Sequence, residues 1–220
     1  MLCKPGYYYV KKHIRISKNG IRHIVEAYCR KNSNSKKDFL YSSNLNYLFE
    51  KFRNKYKYKK LKKIRGYRDD GQYDVMIQFW LKYWKGKDLI KFDIDPLLIK
   101  AMIAAESSFR ERVITKLPGS TATGLMQITT TTMRILAGKY GKEIRKCRIE
   151  ITQQEARSAN SNIAAGVRWI IYKITTSPGK RAKTLKEKIY AGVKYYHSWD
   201  KEGEEYARKV WKIYELSNKN

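Results

Sequence analysis

Asp95-Pro96-Leu97-Leu98-Ile99-Lys100-Ala101-Met102-Ile103-Ala104-Ala105-Glu106-Ser107-Ser108-Phe109 is the stretch from which the fold is read. Asp95 is a good N-cap residue, because its short carboxylate can accept from the free amides of a first helical turn. Pro96 suits the first helical position, where no amide hydrogen is needed. Leu98, Met102 and Ala105 then recur at helical spacing. Glu106 follows the uncharged run Ala101 to Ala105. A carboxyl group among small apolar neighbours resists ionisation, so its pKa rises. An acid that keeps its proton near neutrality can donate it to a leaving oxygen. The competing reading of Glu106 is an ordinary exposed helix position.

Upstream, Tyr73, Met76, Ile77, Trp80, Leu81 and Trp84 predict one helix. Leu45, Leu48, Phe49, Phe52 and Tyr56 predict another, whose lysine-rich far side runs through Lys63 before Gly66 to Gly71 break it. Residues 31–38 read as a polar linker. Residues 7–30 read as a β-hairpin, with Tyr8, Val10, Ile14 and Ile16 on one parity and Asn19-Gly20 for a tight turn. Downstream, Thr152 with Glu155 forms a capping box. Ile163, Val167, Ile170 and Ile174 mark a helix, and Ser177-Pro178-Gly179 a loop. Leu185, Ile189, Val193 and Tyr196 mark a further helix, and Tyr206, Val210, Ile213 and Tyr214 the last. The expected architecture is mainly α, nearly all helix over 40–217. The expected division is an N-terminal hairpin and linker at 1–38, a basic helical lead-in at 39–91 and a helical catalytic domain at 92–220.

The 220 residues carry 48 basic and 20 acidic side chains, +28 overall. Residues 1–93 hold 24 basic against 8 acidic and residues 94–220 hold 24 against 12, so the excess is no tail on a neutral enzyme. Such a charge attracts polyanions: nucleic acids, anionic membrane surfaces or anionic cell-wall polymers. Cys3, Cys29 and Cys147 are too sparse for a disulfide framework, and no paired spacing suggests zinc; three free thiols are expected, with one disulfide left open. No apolar run reaches signal-peptide or membrane-span length, so no stable membrane insertion is expected.

Four blocks resemble the catalytic core of the soluble lytic transglycosylase family, related in fold to goose-type lysozyme. They are Asp95 to Ile99 with Glu106-Ser107-Ser108-Phe109, then Gly124-Leu125-Met126-Gln127-Ile128. The third is Asn162-Ile163-Ala164-Ala165-Gly166-Val167, and the fourth Tyr195-Tyr196-His197 with Tyr206, Ala207 and Val210. The resemblance implies a lysozyme-like helical domain and Glu106 as the single acid/base. It implies that Ser107 fixes the helix end, that Met126 and Gln127 line the groove, and that Gly124 allows close backbone approach. It further implies that Asn162 and Tyr196 hydrogen-bond the glycan and that Tyr206 does so or orients Glu106. His197 replaces the family's usual asparagine, which puts that sugar contact in question. The loop Arg110 to Thr123 departs from the common pattern and suggests a flexible groove edge, with Thr115 in the place of a serine.

The resemblance implies cleavage of peptidoglycan between N-acetylmuramic acid and N-acetylglucosamine, with 1,6-anhydromuramoyl products and no metal or cofactor. The implied partner is the glycan strand. Action in the periplasm or cell wall without a visible signal peptide suggests a secretion machine, or a phage or conjugation apparatus, as the delivery route; a cognate inhibitor is a further candidate partner. Glycosidases ordinarily use two carboxylates, and the acids that follow are Glu111, Glu143, Glu150 and Glu155. A hydrolytic muramidase is therefore the alternative if Glu111 or Glu150 approaches the groove. A nucleic-acid-binding protein is the rival of another class, since lysines alternate with Tyr56, Tyr58 and Tyr67 as in a stacking-plus-phosphate surface. An inactive wall-binding domain is the third.

Overall fold

The computed structural model describes residues 2–33, 36, 38–68, 71–140, 144–176 and 182–219. Parts of the linker at 31–38 and of the Gly66–Gly71 break, and the whole Ser177-Pro178-Gly179 loop, lie outside the described residues, as does Glu143.

The chain opens with an arm of four strands: β1 (Tyr7–Val10), β2 (His13–Ile16), β3 (Arg22–Val25) and β4 (Tyr28–Lys31). β2 pairs antiparallel with β3 at the tip, and β1 with β4 at the root. At the turn, Gly20 alone takes the left-handed conformation (φ 75°). The Ser17 amide donates to the Ile21 carbonyl and the Gly20 amide to that of Ser17. The connection is thus a three-residue loop closed by a glycine bulge rather than a two-residue Asn-Gly turn. Ile14 stands opposite Ile24, and both faces of the tip are largely exposed.

The root is fixed twice. Cys3 and Cys29 form a disulfide, which leaves Cys147 free; the expectation of three free thiols is corrected here. The pairing was hidden because the two cysteines meet only once β1 and β4 align. The Asn44 side-chain amide donates to the carbonyls of Cys3, Lys4 and Tyr7 at 2.7–3.0 Å.

β5 (Phe39–Tyr41) leads into α1 (Ser42–Phe52). The helix expected to run on toward Lys63 stops at Phe52, followed by a single 3-10 turn, and residues 56–64 are not helical. Side chains of α2 (Asp74–Lys85) hold this segment as a strap. Gln78 accepts from the Lys59 amide (3.1 Å) and donates to its carbonyl (2.7 Å), and Asp74 accepts from the Leu61 amide (2.9 Å). These bonds replace the helical ones the segment forgoes. The Lys82 ammonium lies over both the Tyr56 and Tyr58 rings, and Tyr67 packs edge-on to Phe109. The tyrosines that suggested a nucleic-acid surface therefore make contacts within the fold.

α3 (Pro96–Ser107) starts as its sequence predicts, with Asp95 accepting from the Leu97 amide at 2.9 Å. It is buried nearly all round, as a central helix must be. Lys100, 1% exposed, pairs with Asp74 at 2.7 Å, a buried ion pair joining α3 to α2 and, through Asp74, to the strap.

The expectation of nearly all helix over 40–217 misses a three-stranded meander, β6 (Ile114–Leu117), β7 (Ser120–Thr123) and β8 (Ile128–Thr129), antiparallel in the order β6-β7-β8. It stands where a flexible edge was expected. α4 (Thr130–Leu136) follows directly, capped by Thr129. β9 (Arg148–Glu150) pairs parallel with β5. The Thr152–Glu155 box forms, but it leads into one 3-10 turn instead of a helix. The long α5 (Ala159–Thr175) packs on α1, α2 and α6 (Leu185–His197), and α7 (Lys201–Asn218) packs on α3 and α6. One continuous apolar core reaches from Leu40 on β5 to Val210 on α7, so the helices of 39–91 and those that follow share it.

Candidate active site

Glu106 occupies the last turn of α3. Two consecutive left-handed residues end that helix, Ser108 (φ 51°) and Phe109 (φ 63°). Such conformations are uncommon outside glycine, and here the surroundings hold them: the Phe109 ring lies parallel to that of Tyr73 at 6.4 Å. The carboxyl group opens into a cleft of about 400 Å³. The meander gives one wall through Thr115, Leu117 and Gln127. Trp169 of α5 and Tyr196 and His197 of α6 give the other, with Ser198 and Glu202 at the turn into α7.

Burial pushes the Glu106 pKa up to about 7; the Tyr206 hydroxyl and the Lys209 ammonium pull the other way, less strongly. The Tyr206 hydroxyl is buried and reaches toward the carboxylate without closing a well-formed hydrogen bond. Lys209 donates to the Ala105 carbonyl at 3.0 Å, which fixes its charge beside the helix end. Tyr196 and Tyr206 are themselves held well above the ordinary phenol pKa, by burial first and by the Glu106 charge second. At neutral pH this arrangement presents one carboxyl group poised between its two protonation states, backed by two neutral phenols.

The residues singled out from the sequence fall into two groups. Glu106, Gln127, Tyr196 and His197 line the cleft. Gln127 takes a left-handed backbone (φ 44°) and is braced by bonds from Thr115 and to the Val113 and Gly124 carbonyls. Tyr196 donates to the Met126 carbonyl at 2.7 Å. The His197 ring stacks on that of Tyr206 at 4.8 Å.

The second group lies behind the wall. Asn162 is 1% exposed and uses its whole amide inside the fold. It accepts from the Met126 amide (2.7 Å) and donates to the Thr123 and Ala156 carbonyls (2.8 and 2.7 Å), so the expected bond to the glycan gives way to one that holds the meander on α5. Met126 is fully buried against Gly166, where a Cβ would strike its side chain, and so fills the core instead of lining the groove. Gly124 (φ 79°) does allow a close approach, but by Asn162 and the Ala156 carbonyl rather than by substrate. Ser107 turns back to the Ile103 carbonyl (3.1 Å) at the helix end. Tyr206, on α7, brings its buried hydroxyl toward Glu106.

Among the described residues, the acids weighed as second carboxylates are otherwise engaged. Glu111 accepts from the Tyr73 hydroxyl, Glu150 pairs with Lys139, and Glu155 accepts from the Thr152 amide and hydroxyl. Glu202, unremarkable in sequence on a charged helix start, does line the cleft. Lys209 and Trp169 were equally invisible, since no spacing rule links α5 or α7 to the end of α3. Among the described residues no cluster of His, Cys, Asp and Glu could hold a metal, and no helix is long and apolar enough to cross a membrane.

A helical domain with a small meander, and a cleft floored by one proton-holding carboxyl group, defines a protein of the lysozyme-like class. The family model described as the transglycosylase SLT domain matches residues 84–195. That is half of the chain, from the end of α2 through most of α6, and it contains Glu106 and the meander. The chain belongs to the transglycosylase SLT family, and is thereby a transglycosylase-type enzyme of cell-wall peptidoglycan. Among curated proteins none matches the chain.

Proposed function

We propose that the protein cleaves the β-1,4 bond between N-acetylmuramic acid and N-acetylglucosamine and leaves a 1,6-anhydromuramoyl end. The observation that carries this is Glu106, a carboxyl group with a pKa of about 7 on the floor of a cleft that a glycan strand can enter. In the protonated state Glu106 gives its proton to the glycosidic oxygen, which leaves as the 4-hydroxyl of N-acetylglucosamine. The carboxylate so formed takes the proton of the muramic acid 6-hydroxyl. That oxygen then bonds to the anomeric carbon and closes the anhydro ring. The proton count is restored and no water is consumed. Both reacting groups sit on one sugar, so orientation supplies much of the rate.

His197 is the polar group placed to orient the strand, while Gln127 lines the cleft with its amide held by Thr115 and by the Val113 and Gly124 carbonyls, and Tyr196 holds the Met126 carbonyl. Tyr206 and Lys209 act on the glycan only through Glu106. The hydrolytic alternative gains one specific support, the Glu202 carboxylate in the same cleft. In that reading it directs a water to the anomeric carbon, the two-carboxylate arrangement of ordinary glycosidases. Digestion of purified sacculi followed by mass analysis tests both. Anhydro products from wild type, none from Glu106→Gln, and anhydro products still from Glu202→Gln bear out the proposal. Products heavier by one water that vanish in Glu202→Gln establish the alternative.

A further inference from the structure

We propose that Trp199 forms a sugar-stacking subsite at the rim of the cleft, where a ring of the bound glycan strand lies on its indole; this rests on the reading of the cleft as a glycan site. Of the five tryptophans in the chain, Trp80, Trp84 and Trp169 are buried and Trp211 is half-buried, while Trp199 is 65% exposed. Its neighbours hold it in place. The Tyr195 ring lies 4.6 Å from it, centroid to centroid. The Lys173 ammonium sits 5.6 Å from its centroid and 4.3 Å from that of Trp169, so one cation bridges the two indoles.

The backbone beneath is equally constrained. Ser198 donates to Asp200 at 2.6 Å, and Asp200 caps α7 by accepting from the Glu202 and Gly203 amides. At Gly203 any Cβ would collide with the Ser198 carbonyl, so the α6–α7 turn closes tightly. An exposed indole on a turn of this kind has little orientational freedom to lose on binding.

Its position gives the ligand class. Ser198 and Glu202, on either side of Trp199 in the chain, line the cleft, and so does Trp169 behind the bridging lysine. The platform therefore extends the α5–α6 wall outward from the bond-cleaving carboxyl group. Pyranose rings have an apolar face of C–H bonds, and an indole offers a flat, electron-rich surface to match it. Trp199 stands next in the chain to the cleft-lining Ser198, within reach of a strand of aminosugars that runs along this wall.

The test is calorimetric titration of the full chain with N-acetylglucosamine dimer and hexamer, for wild type, Trp199→Ala and Trp199→Phe. The expected result is hexamer affinity about tenfold lower in the alanine variant, the size one stacked ring supplies. The loss should be smaller for the dimer and largely restored by phenylalanine. Equal hexamer affinity in wild type and Trp199→Ala, an equal loss in both variants, or no hexamer binding by wild type overturns the proposal. If the alanine variant does not fold, as read by circular dichroism, Trp199→Gln takes its place. Sacculi digested by wild type separate this idea from its premise. Cleavage without Trp199-dependent binding sinks the subsite alone. Trp199-dependent binding without cleavage sinks the enzyme reading alone.

Discussion

Replacing Glu106 with glutamine is expected to abolish glycan cleavage while making the folded protein more stable above neutrality. The carboxyl pKa stands at about 7 in the native protein against an ordinary 4.5, with burial as the main cause. Between those two values the native state binds more protons than the unfolded chain, so stability falls as pH rises through that window. Above pH 7 the full penalty of a charged, buried carboxylate is in force, about 3 kcal/mol for a shift of this size. Below pH 4 both states carry the proton and the penalty is absent. Glutamine keeps the shape and has no charge to desolvate. Urea unfolding at pH 8 should therefore place Glu106→Gln about 3 kcal/mol above wild type, and at pH 4 the two should coincide. A variant no more stable than wild type at pH 8 would show that the carboxylate is well solvated, and the account of its proton affinity would be wrong.

In the proposed mechanism the same proton sets the rate. Since the protonated form starts the reaction, the alkaline limb of the pH–rate profile on sacculi should fall near pH 7, and a limb near pH 5 would contradict the pKa. Lys209→Met removes a cation that lowers the Glu106 pKa, so the limb should move upward; an unchanged or lowered limb would rule out its charge as a tuning element. Asn162→Leu strands the Met126 amide and two carbonyls, and should cost about 3 kcal/mol in chemical denaturation; a loss under 1 kcal/mol would mean the amide does not tie the meander to α5. Asp74→Ala removes both the buried counter-charge of Lys100 and the acceptor of the Leu61 amide, with an expected cost of about 3–5 kcal/mol, whereas the double change Asp74→Leu, Lys100→Met removes the charge but not the loss at Leu61 and should recover part of it; equal instability of the two would contradict the buried charge as a main cause.

What could be read from the sequence was local. Asp95-Pro96 announces α3 because a cap and a first-turn proline act within four residues of each other. The apolar stripes of α2, α5, α6 and α7 were legible for the same reason. The strap was not. Its tyrosines and lysines keep helical spacing, but what decides their conformation is Gln78, nineteen residues ahead, whose amide occupies the Lys59 backbone. The meander was missed because its strands are two to four residues long and rich in threonine, too short for an alternation to register. At the site, a recognised block does not say which way a side chain turns. Asn162 and Gln127 are both amides in matching blocks; Asn162 is buried against three backbone groups behind the wall, and Gln127 lines the cleft while its own amide is held by Thr115 and two carbonyls. Glu202 escaped notice because the α6–α7 turn that brings it to the cleft is a tertiary feature.

The bond between Cys3 and Cys29 closes the arm at its foot, far along the chain from the Glu106 carboxyl group. Thiols in the cytosol are kept reduced and pair in oxidising spaces such as the periplasm. A molecule in a reducing space would thus carry an unlatched arm, and one in an oxidising space a latched one. The cysteine pair is a passport stamp: alkylation of free thiols before and after reduction, read on protein drawn from each compartment, would tell where a given molecule has been.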